Sequence, residues 1–227
     1  MSEALPADKA SGAGPKAGNG AAKKPRAEQA KRRPGLSREK ILSEATKLFA
    51  ARGYAAISIR DIAGACGIGI PSIYHFFGDK DSLYVSCCDQ LFGEVEATLC
   101  GSFKEGASSH DHIRDFTIAL CKALLKNHDF RRLSQMEVLQ DEHRSIEEIT
   151  APHFMSPFKL LVKDIAALIG EEGTTERAVL INALAYGQIQ LQRIAQIAGT
   201  DVTHGGSPER LAEYVLNVAL PGHDWSR

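Results

Sequence analysis

The sequence predicts an all-helical protein. From Leu36 onward, apolar residues recur three and four positions apart, which is the period of an amphipathic helix. Residues typical of helix starts and ends separate these stretches, such as Ser58 before one and Gly53 after another. No stretch alternates apolar and polar residues as a half-buried strand does, and no internal repeat is present. We therefore expect helices joined by short turns.

Composition places most of the chain among ordinary globular proteins. Of its 227 residues, 44% are hydrophobic and 24% are charged. No apolar run approaches the roughly 18 residues of a membrane helix, and no apolar leader follows the first methionine. The five cysteines are odd in number and form no CxxC pair, so we interpret them as reduced core thiols, with a thiol redox sensor as the alternative. These features predict a cytoplasmic protein without a membrane partner.

Residues 1–35 differ from the rest of the chain. They contain eight Lys/Arg and three Asp/Glu but almost no large apolar side chains. Such a segment cannot bury enough surface to offset its ordering entropy, so we predict a disordered basic tail. The tail is either a solubilising end or a source of non-specific attraction to phosphates.

Three helices are predicted after the tail, over residues 37–54, 58–65 and 70–77. The second begins with Ser58 and Asp61 in a capping-box arrangement, with Asp in place of the usual Glu or Gln. Gly67 and Gly69 separate it from the third helix, in which Pro71 occupies the first turn. Two helices joined by a four-residue turn form a helix-turn-helix, whose second helix enters the major groove of DNA.

The third helix is short and has two faces. Ile73 and Phe77, four residues apart, give it an inward face. Ser72, Tyr74 and His75 then face outward as hydrogen-bonding groups for phosphates and base edges. Periodicity alone allows a second interpretation, in which all three helices belong to an ordinary bundle and Tyr74 and His75 are half-buried.

Residues 38–84 resemble the DNA-binding domain of the TetR (tetracycline-repressor) family of bacterial transcription regulators. The resemblance rests on the stretches ILSEATKLFAARGY, IRDIA, the turn Gly-x-x-x-Pro, IYHFF and DKDSLY, in this order. The rest of the chain matches the family only in layout. The resemblance implies a helix-turn-helix DNA-binding domain at residues 36–82 and a helical effector-binding and dimerisation domain at residues 83–227.

The resemblance also assigns DNA contacts residue by residue. The predicted DNA-binding residues are Ser58, Arg60, Gly69, Ile70, Pro71, Ser72, Tyr74, His75 and Lys80. Many members carry a polar or basic residue where Ile70 stands, so Ile70 either packs against a thymine methyl or contributes nothing. Base reading then falls mainly to Arg60 and Ser72, while Lys80 is expected to contact phosphate.

Six further helices are predicted, near residues 80–103, 109–128, 129–143, 146–170, 174–198 and 207–220. The penultimate helix is apolar on two sides, and the last helix spills onto a second stripe. One face would serve the core and the other a second copy of the chain. The predicted dimer interface contains Leu180, Ala183, Gly187, Ile194, Leu216 and Leu220. The alternative is a central helix in a larger monomer.

Aromatic and methionine residues in the middle helices indicate an effector pocket. The candidate lining residues are Phe92, Phe116, His128, Met136, Phe154 and Phe158. An apolar or aromatic effector suits this composition. The alternative is that most of these side chains belong only to the core.

Other kinds of chemistry have little support in the sequence. His110 and His112 flank Asp111, but they lie in a Ser/Gly-rich loop without cysteine or regular ligand spacing, so we expect no metal and no cofactor. No nucleophile motif, phosphate-binding loop or dinucleotide fingerprint is present. We therefore do not expect an enzyme.

The resemblance implies a homodimeric repressor that binds a palindromic operator in double-stranded DNA and is released by an unknown small-molecule effector. The alternative is a TetR-fold DNA-binding protein that acts through a protein partner, or as a structural factor on the chromosome, without such an effector. In both cases the protein would work in the bacterial cytoplasm at the nucleoid.

Overall fold

The computed structural model describes residues 38–139 and 151–226. Within these two ranges the regular structure is helical and contains no strand, as the predicted all-α class requires. The helices are α1 (Arg38–Arg52), α2 (Ile59–Cys66), α3 (Ile70–Phe77), α4 (Lys80–Cys100), α5 (Ser109–Lys126), α6 (His128–Leu139), α7 (Ala151–Ile169), α8 (Thr174–Ile197) and α9 (Pro208–Ala219), with a short 3-10 turn at His204–Gly206 before α9.

The helix boundaries follow the sequence signals closely. The predicted helix 70–77 begins and ends as expected, and the predicted helix 80–103 ends earlier, at Cys100. Three predictions lie outside the described residues: the basic tail, the end of the helix 129–143 and the start of the helix 146–170. None of the described helices is long and apolar enough to cross a membrane.

Local hydrogen bonds fix the turn between α2 and α3. The Ser58 side chain accepts from the backbone N–H of Asp61 (3.2 Å), and Asp61 Oδ2 accepts from the backbone N–H of Ser58 (2.8 Å), which is a capping box. Gly67 has a φ of 68°, and its N–H and the next one return to the carbonyls of Gly64 and Ala63. This Schellman ending needs a residue that tolerates positive φ. It redirects the chain into α3.

Buried aromatic rings join α1 to α4. The ring of Tyr84 on α4 lies 5.0 Å from that of Phe49 and 5.1 Å from that of Tyr54. The Tyr84 hydroxyl donates to the carboxylate of Glu137 on α6. Glu137 is only 4% exposed. A buried carboxylate requires such a partner. The beginning of α4 is thus packed against both α1 and α6.

Two polar contacts hold α7 near its ends. At the first turn, His153 Nδ1 lies 3.0 Å from Glu96 Oε2 of α4. Near the other end, Asp164 accepts from Ser109 Oγ of α5 (2.6 Å) and lies 3.0 Å from His112 Nδ1. Between them, Pro157 is buried inside the helix. These contacts place the middle of α7 over α4 and α5.

The C-terminal segment folds back onto α5 and α9. The ring of Trp225 is 3% exposed and stacks on His110 with centroids 4.2 Å apart and planes 4° apart. Its indole N–H donates to the carbonyl of Leu220 (3.1 Å). This contact closes one side of α9 against α5.

Candidate functional site

The two faces of α3 differ in exposure, as the sequence predicts. Ile73 is fully buried and Phe77 is 8% exposed, and both belong to the main hydrophobic core. Tyr74 is 49% exposed, and His75 is exposed as well. Ser72 is half-buried. The exposed pair does not fit the interpretation of an ordinary bundle helix with Tyr74 and His75 half-buried.

The start of α3 is suited to a phosphate. Gly69 precedes the helix and provides no side-chain cap, and Pro71 lies exposed in its first turn. Pro71 has no N–H and the N–H of Ser72 donates to the carbonyl of Gly69 (3.0 Å), so the helix start offers an anion mainly the partial positive charge of its dipole. Ile70 is half-buried and packs against the core, so only part of its side chain is open to a DNA base.

Ser58 and Arg60 lie at the start of α2 but differ in what they can offer. The Ser58 hydroxyl accepts from the Asp61 N–H and donates to Asp61 Oδ2 (2.5 Å). The bonds that the Ser58 hydroxyl and the Ser58 backbone N–H donate to this carboxylate hold the pKa of the Asp61 carboxyl below its usual value. A DNA contact through this hydroxyl would compete with the cap. Arg60 is exposed, and its guanidinium hydrogen-bonds to none of the described residues. Its donors are available to DNA.

Lys80 is held in place by an aromatic ring. Its ammonium lies 4.0 Å from the ring centroid of Tyr54, and partial burial lowers its pKa. The Tyr54 hydroxyl donates to Asp81, and Asp79 caps the helix by accepting from the N–H of Ser82 (2.7 Å). Lys80, the predicted phosphate contact, therefore lies in the first turn of α4, and the Tyr54 ring holds its ammonium group in position.

An open apolar face runs along α8 and α9. The large apolar side chains exposed on it are Val179, Leu191, Ile194, Ile197, Tyr214 and Val218. Ile194 is 65% exposed and Ile197 is 84% exposed. A Cβ added to Gly187 would meet no atom within 4 Å. The opposite side of α8 buries Ala178, Ile181, Ala185 and Ile189, so this helix is apolar on two sides, as predicted.

Two of the predicted interface residues lie elsewhere. Leu216 is 0% exposed and Leu220 is 2% exposed, so both belong to the core of the chain. Helix α9 packs against α5 on this side, and Trp225 covers Leu220. The apolar side chains that α9 leaves open are instead Tyr214 and Val218. Leu180 and Gly187 are half-buried, and Ala183 is exposed, so these positions can still contribute to the face.

The middle helices border an apolar pocket of about 210 Å³ that is partly open to solvent. It is lined by Leu99, Phe116, Phe154, Met155, Pro157, Phe158 and Asn182. Three of the six predicted residues, Phe116, Phe154 and Phe158, come together here. Four of the seven lining residues are on α7, so this helix forms most of one wall.

The other three predicted pocket residues are not in this cavity. Phe92 is fully buried among aromatic rings, 6.0 Å from the ring of Phe130. Met136 lies against the end of α1, with its sulfur 3.8 Å from where a Cβ on Gly53 would stand. His128 lines a separate groove between α4, α5 and α6, together with Lys122. Phe92 contacts the ring of the lining residue Phe154 from behind without bordering the cavity, and Met136 and His128 lie near other helices.

Residues 41–87 match the model of the family described as bacterial regulatory proteins, tetR family. This chain belongs to the TetR family. The TetR-family repressor KstR2 of Rhodococcus jostii is 32% identical over 117 residues, which cover 44% of this chain and 57% of that protein. The regulator YuxN of Bacillus subtilis is 23% identical over 184 residues, covering 79% of this chain and 61% of that protein. The chain thus spans less than two thirds of the length of these relatives.

Solved structures of TetR-type regulators share the fold. The regulator FadR of Bacillus subtilis, solved in complex with stearoyl-CoA, superposes with a TM-score of 0.65 over 83% of this chain and 100% of that chain, at 17% identity. The ketosteroid regulator KstR2 of Mycobacterium tuberculosis gives a TM-score of 0.63 over 83% and 95%, at 20% identity. This TetR-family chain therefore has the same helical fold as these regulators.

Two residues of this TetR-family chain, Phe76 and Asn182, were not predicted as candidate site residues. Phe76 on α3 is 37% exposed and lies beside His75, with ring centroids 5.6 Å apart. Phe76 follows Ile73 by three residues, a spacing typical of the inward face, so the pattern did not indicate its exposure. Asn182 lines the pocket from α8, and a single asparagine within a helix provides no comparable signal.

Most cysteines of the TetR-family chain are buried and unreactive. Burial raises the pKa of Cys87 to about 11 and that of Cys121 to about 12. Thiols with such pKa values remain protonated at neutral pH and react slowly. Only Cys100 is half-exposed among the five. The redox-sensor alternative is not supported by this arrangement.

Proposed function

We propose that this TetR-family regulator is a homodimeric repressor that leaves a palindromic operator when a small apolar effector occupies the pocket. The observation that carries the proposal is the course of α4. Its first turn carries Lys80 beside α3, and its last turn places Leu99 in the pocket wall. A molecule bound at one end of this helix contacts the same rigid element that follows the DNA-binding helix.

The open face of α8 and α9 supports the homodimer. A contiguous apolar surface on a protein usually marks a contact with a partner. A second copy fits best, because a two-fold axis pairs the same surface with itself and matches the symmetry of a palindromic operator. The absence of a side chain at Gly187 allows the two copies of α8 to approach closely.

Dimerisation also explains how the DNA-binding region can bind tightly. Residues 36–82 contain six Lys/Arg and five Asp/Glu, so the region is not strongly basic. Affinity must come from a few directed contacts, doubled by the second copy. We propose the predicted DNA-binding residues for these contacts, and the exposure of Arg60, Tyr74 and His75 supports this assignment.

The apolar pocket supports an effector. The alternative function, through a protein partner or chromosome structure alone, does not require an apolar cavity. The relative KstR2 is a transcriptional repressor, which favours repression, and FadR, solved in complex with stearoyl-CoA, shows that this fold can hold a ligand with an apolar chain. An effector would act by favouring a conformation in which the two copies of α3 no longer match successive major grooves.

Selection from random double-stranded DNA tests the proposal. We expect purified protein to enrich inverted repeats whose half-site centres lie about one helical turn, or a multiple of it, apart. Enrichment of single half-sites would contradict the dimeric arrangement. Equal recovery of all sequences would favour a structural role on the chromosome.

The basic tail offers a separate prediction. The described chain begins at Arg38, whose guanidinium lies 4.9 Å from the ring centroid of Phe77 at the end of α3. Deleting residues 1–35 should weaken binding to all DNA sequences alike and reduce the salt slope by about 0.9 per lost phosphate contact. Titrations of operator and random DNA at several salt concentrations measure both quantities.

A variant with the eight Lys/Arg of the tail changed to Gln provides the matched control. It keeps the length of the tail and removes its charge, so it should reproduce the deletion. Unchanged affinity and salt slope in both variants would show that the tail is only a solubilising end.

A further inference from the structure

The apolar pocket contains one polar side chain, and its orientation is fixed. Of the seven lining residues, only Asn182 carries a hydrogen-bonding side chain, and none is charged. Asn182 Nδ2 donates to the carbonyl of Ala178, one turn earlier on α8, at 2.9 Å. The amide is therefore orientated with its nitrogen towards the helix backbone. Its Oδ1 accepts no hydrogen bond from any residue in the described parts of the chain.

This arrangement defines what a ligand must supply. An amide oxygen is an acceptor with two lone pairs, so it is matched by an O–H or N–H group. A polar group left without a partner in an apolar site costs about 1–3 kcal/mol. A ligand with one well-placed donor satisfies Oδ1, whereas a ligand with only acceptors leaves it unpaired.

The lining contains no charged side chain, and this excludes an ionised group from the cavity. No lysine, arginine or histidine is among the lining residues, so a carboxylate or phosphate would be buried without a counter-charge. Burial of an unpaired charge is far more costly than burial of a neutral polar group. The portion of the effector inside the pocket must therefore be neutral.

The size and the aromatic rings define the rest of the ligand. An apolar cavity of about 150 Å³ holds benzene, so 210 Å³ suits a substituted single ring or a compact two-ring skeleton. Three phenylalanine rings and the Met155 sulfur offer edge-to-face and sulfur–aromatic contacts. Met155 is 44% exposed, which places it at the entrance.

We propose that the effector is a neutral one- or two-ring molecule that donates a single hydrogen bond to Asn182 Oδ1. The inference rests on the proposed function as a ligand-responsive regulator and specifies its ligand. Three probes of one shape separate the requirements: 2-naphthol has the donor, 2-methoxynaphthalene lacks it, and 2-naphthoate is charged.

Calorimetric titration of the full-length protein without DNA tests the proposal. We expect 2-naphthol to bind about 10-fold more tightly than the ether, which is the effect of one unpaired acceptor, and the carboxylate to bind more weakly than both. In the Asn182→Leu variant the naphthol and the ether should bind equally, because the acceptor is gone. Equal binding of these two probes to the unmodified protein, tighter binding of the naphthoate, or no binding of the naphthol would overturn the proposal.

Two further variants establish where the probes bind. Met155→Trp fills the entrance from an exposed position and should abolish binding of all probes without unfolding the chain. His128→Leu alters the separate groove and should leave every Kd unchanged. If Met155→Trp binds the probes normally, the site is elsewhere and the proposal fails. Binding of 2-naphthol without release of operator DNA would keep this inference and contradict the proposed repressor mechanism.

Discussion

Gly187→Leu is expected to separate the dimer into monomers that remain folded. In the single chain, a Cβ at this position meets no atom within 4 Å, and α8 gains helix propensity of up to about 1 kcal/mol. Between two chains, the same leucine side chain prevents the close approach of the two copies of α8. Loss of the second DNA-binding domain should reduce operator affinity by about 10²–10⁴-fold.

Sedimentation equilibrium and thermal unfolding measure the two effects separately. Ile194→Glu should also give monomers, because it places a carboxylate in the apolar face. Gln196→Glu is its control, since it adds the same charge at an exposed polar position two residues further along α8. An intact dimer with normal DNA affinity for both Gly187→Leu and Ile194→Glu would show that the chains associate through another surface.

Arg60→Ala is expected to have the largest effect on sequence recognition. The Arg60 guanidinium is exposed, and its forked donors match O6 and N7 of guanine. Its loss should cost about 1–3 kcal/mol in each half-site and relax the preference at one base pair. Binding-site selection with the variant, at two salt concentrations, measures both the affinity and the preference.

Arg52→Ala and Lys80→Ala are the matched comparisons. Arg52 carries the same charge at the exposed end of α1, so its removal reports the general electrostatic loss. Lys80→Ala should weaken specific and non-specific binding similarly and lower the salt slope by about 1 per half-site. If Arg60→Ala loses affinity but keeps the original sequence preference, then Arg60 contacts the backbone. Base reading would in that case rest on Ser72, Tyr74 and His75.

The helix-turn-helix could be predicted from the sequence because its determinants are local. The capping box of Ser58 and Asp61, the left-handed Gly67 and the early Pro71 each act within a few residues. Such signals are present in any short stretch of sequence, and the boundaries of α3 follow from them.

The faces of α9 and the members of the pocket could not be predicted in the same way. Leu216 and Leu220 are buried on α9, which packs against α5, and because α5 lies far away in the sequence no local pattern contains that contact. Likewise, Phe92 and Phe116 look equivalent in the sequence. The position of α7 decides that Phe116 borders the cavity and that Phe92 does not.

The way α7 is held has a mechanical consequence for the pocket. The helix is fastened near one end by His153 and near the other by Asp164. Pro157 lies between these points and has no N–H to donate to the carbonyl of His153, so one rung of the helix is missing where the cavity is. A helix bends most easily where a backbone hydrogen bond is missing. We therefore expect the pocket to widen for a bulkier ligand while the contacts of His153 and Asp164 are kept.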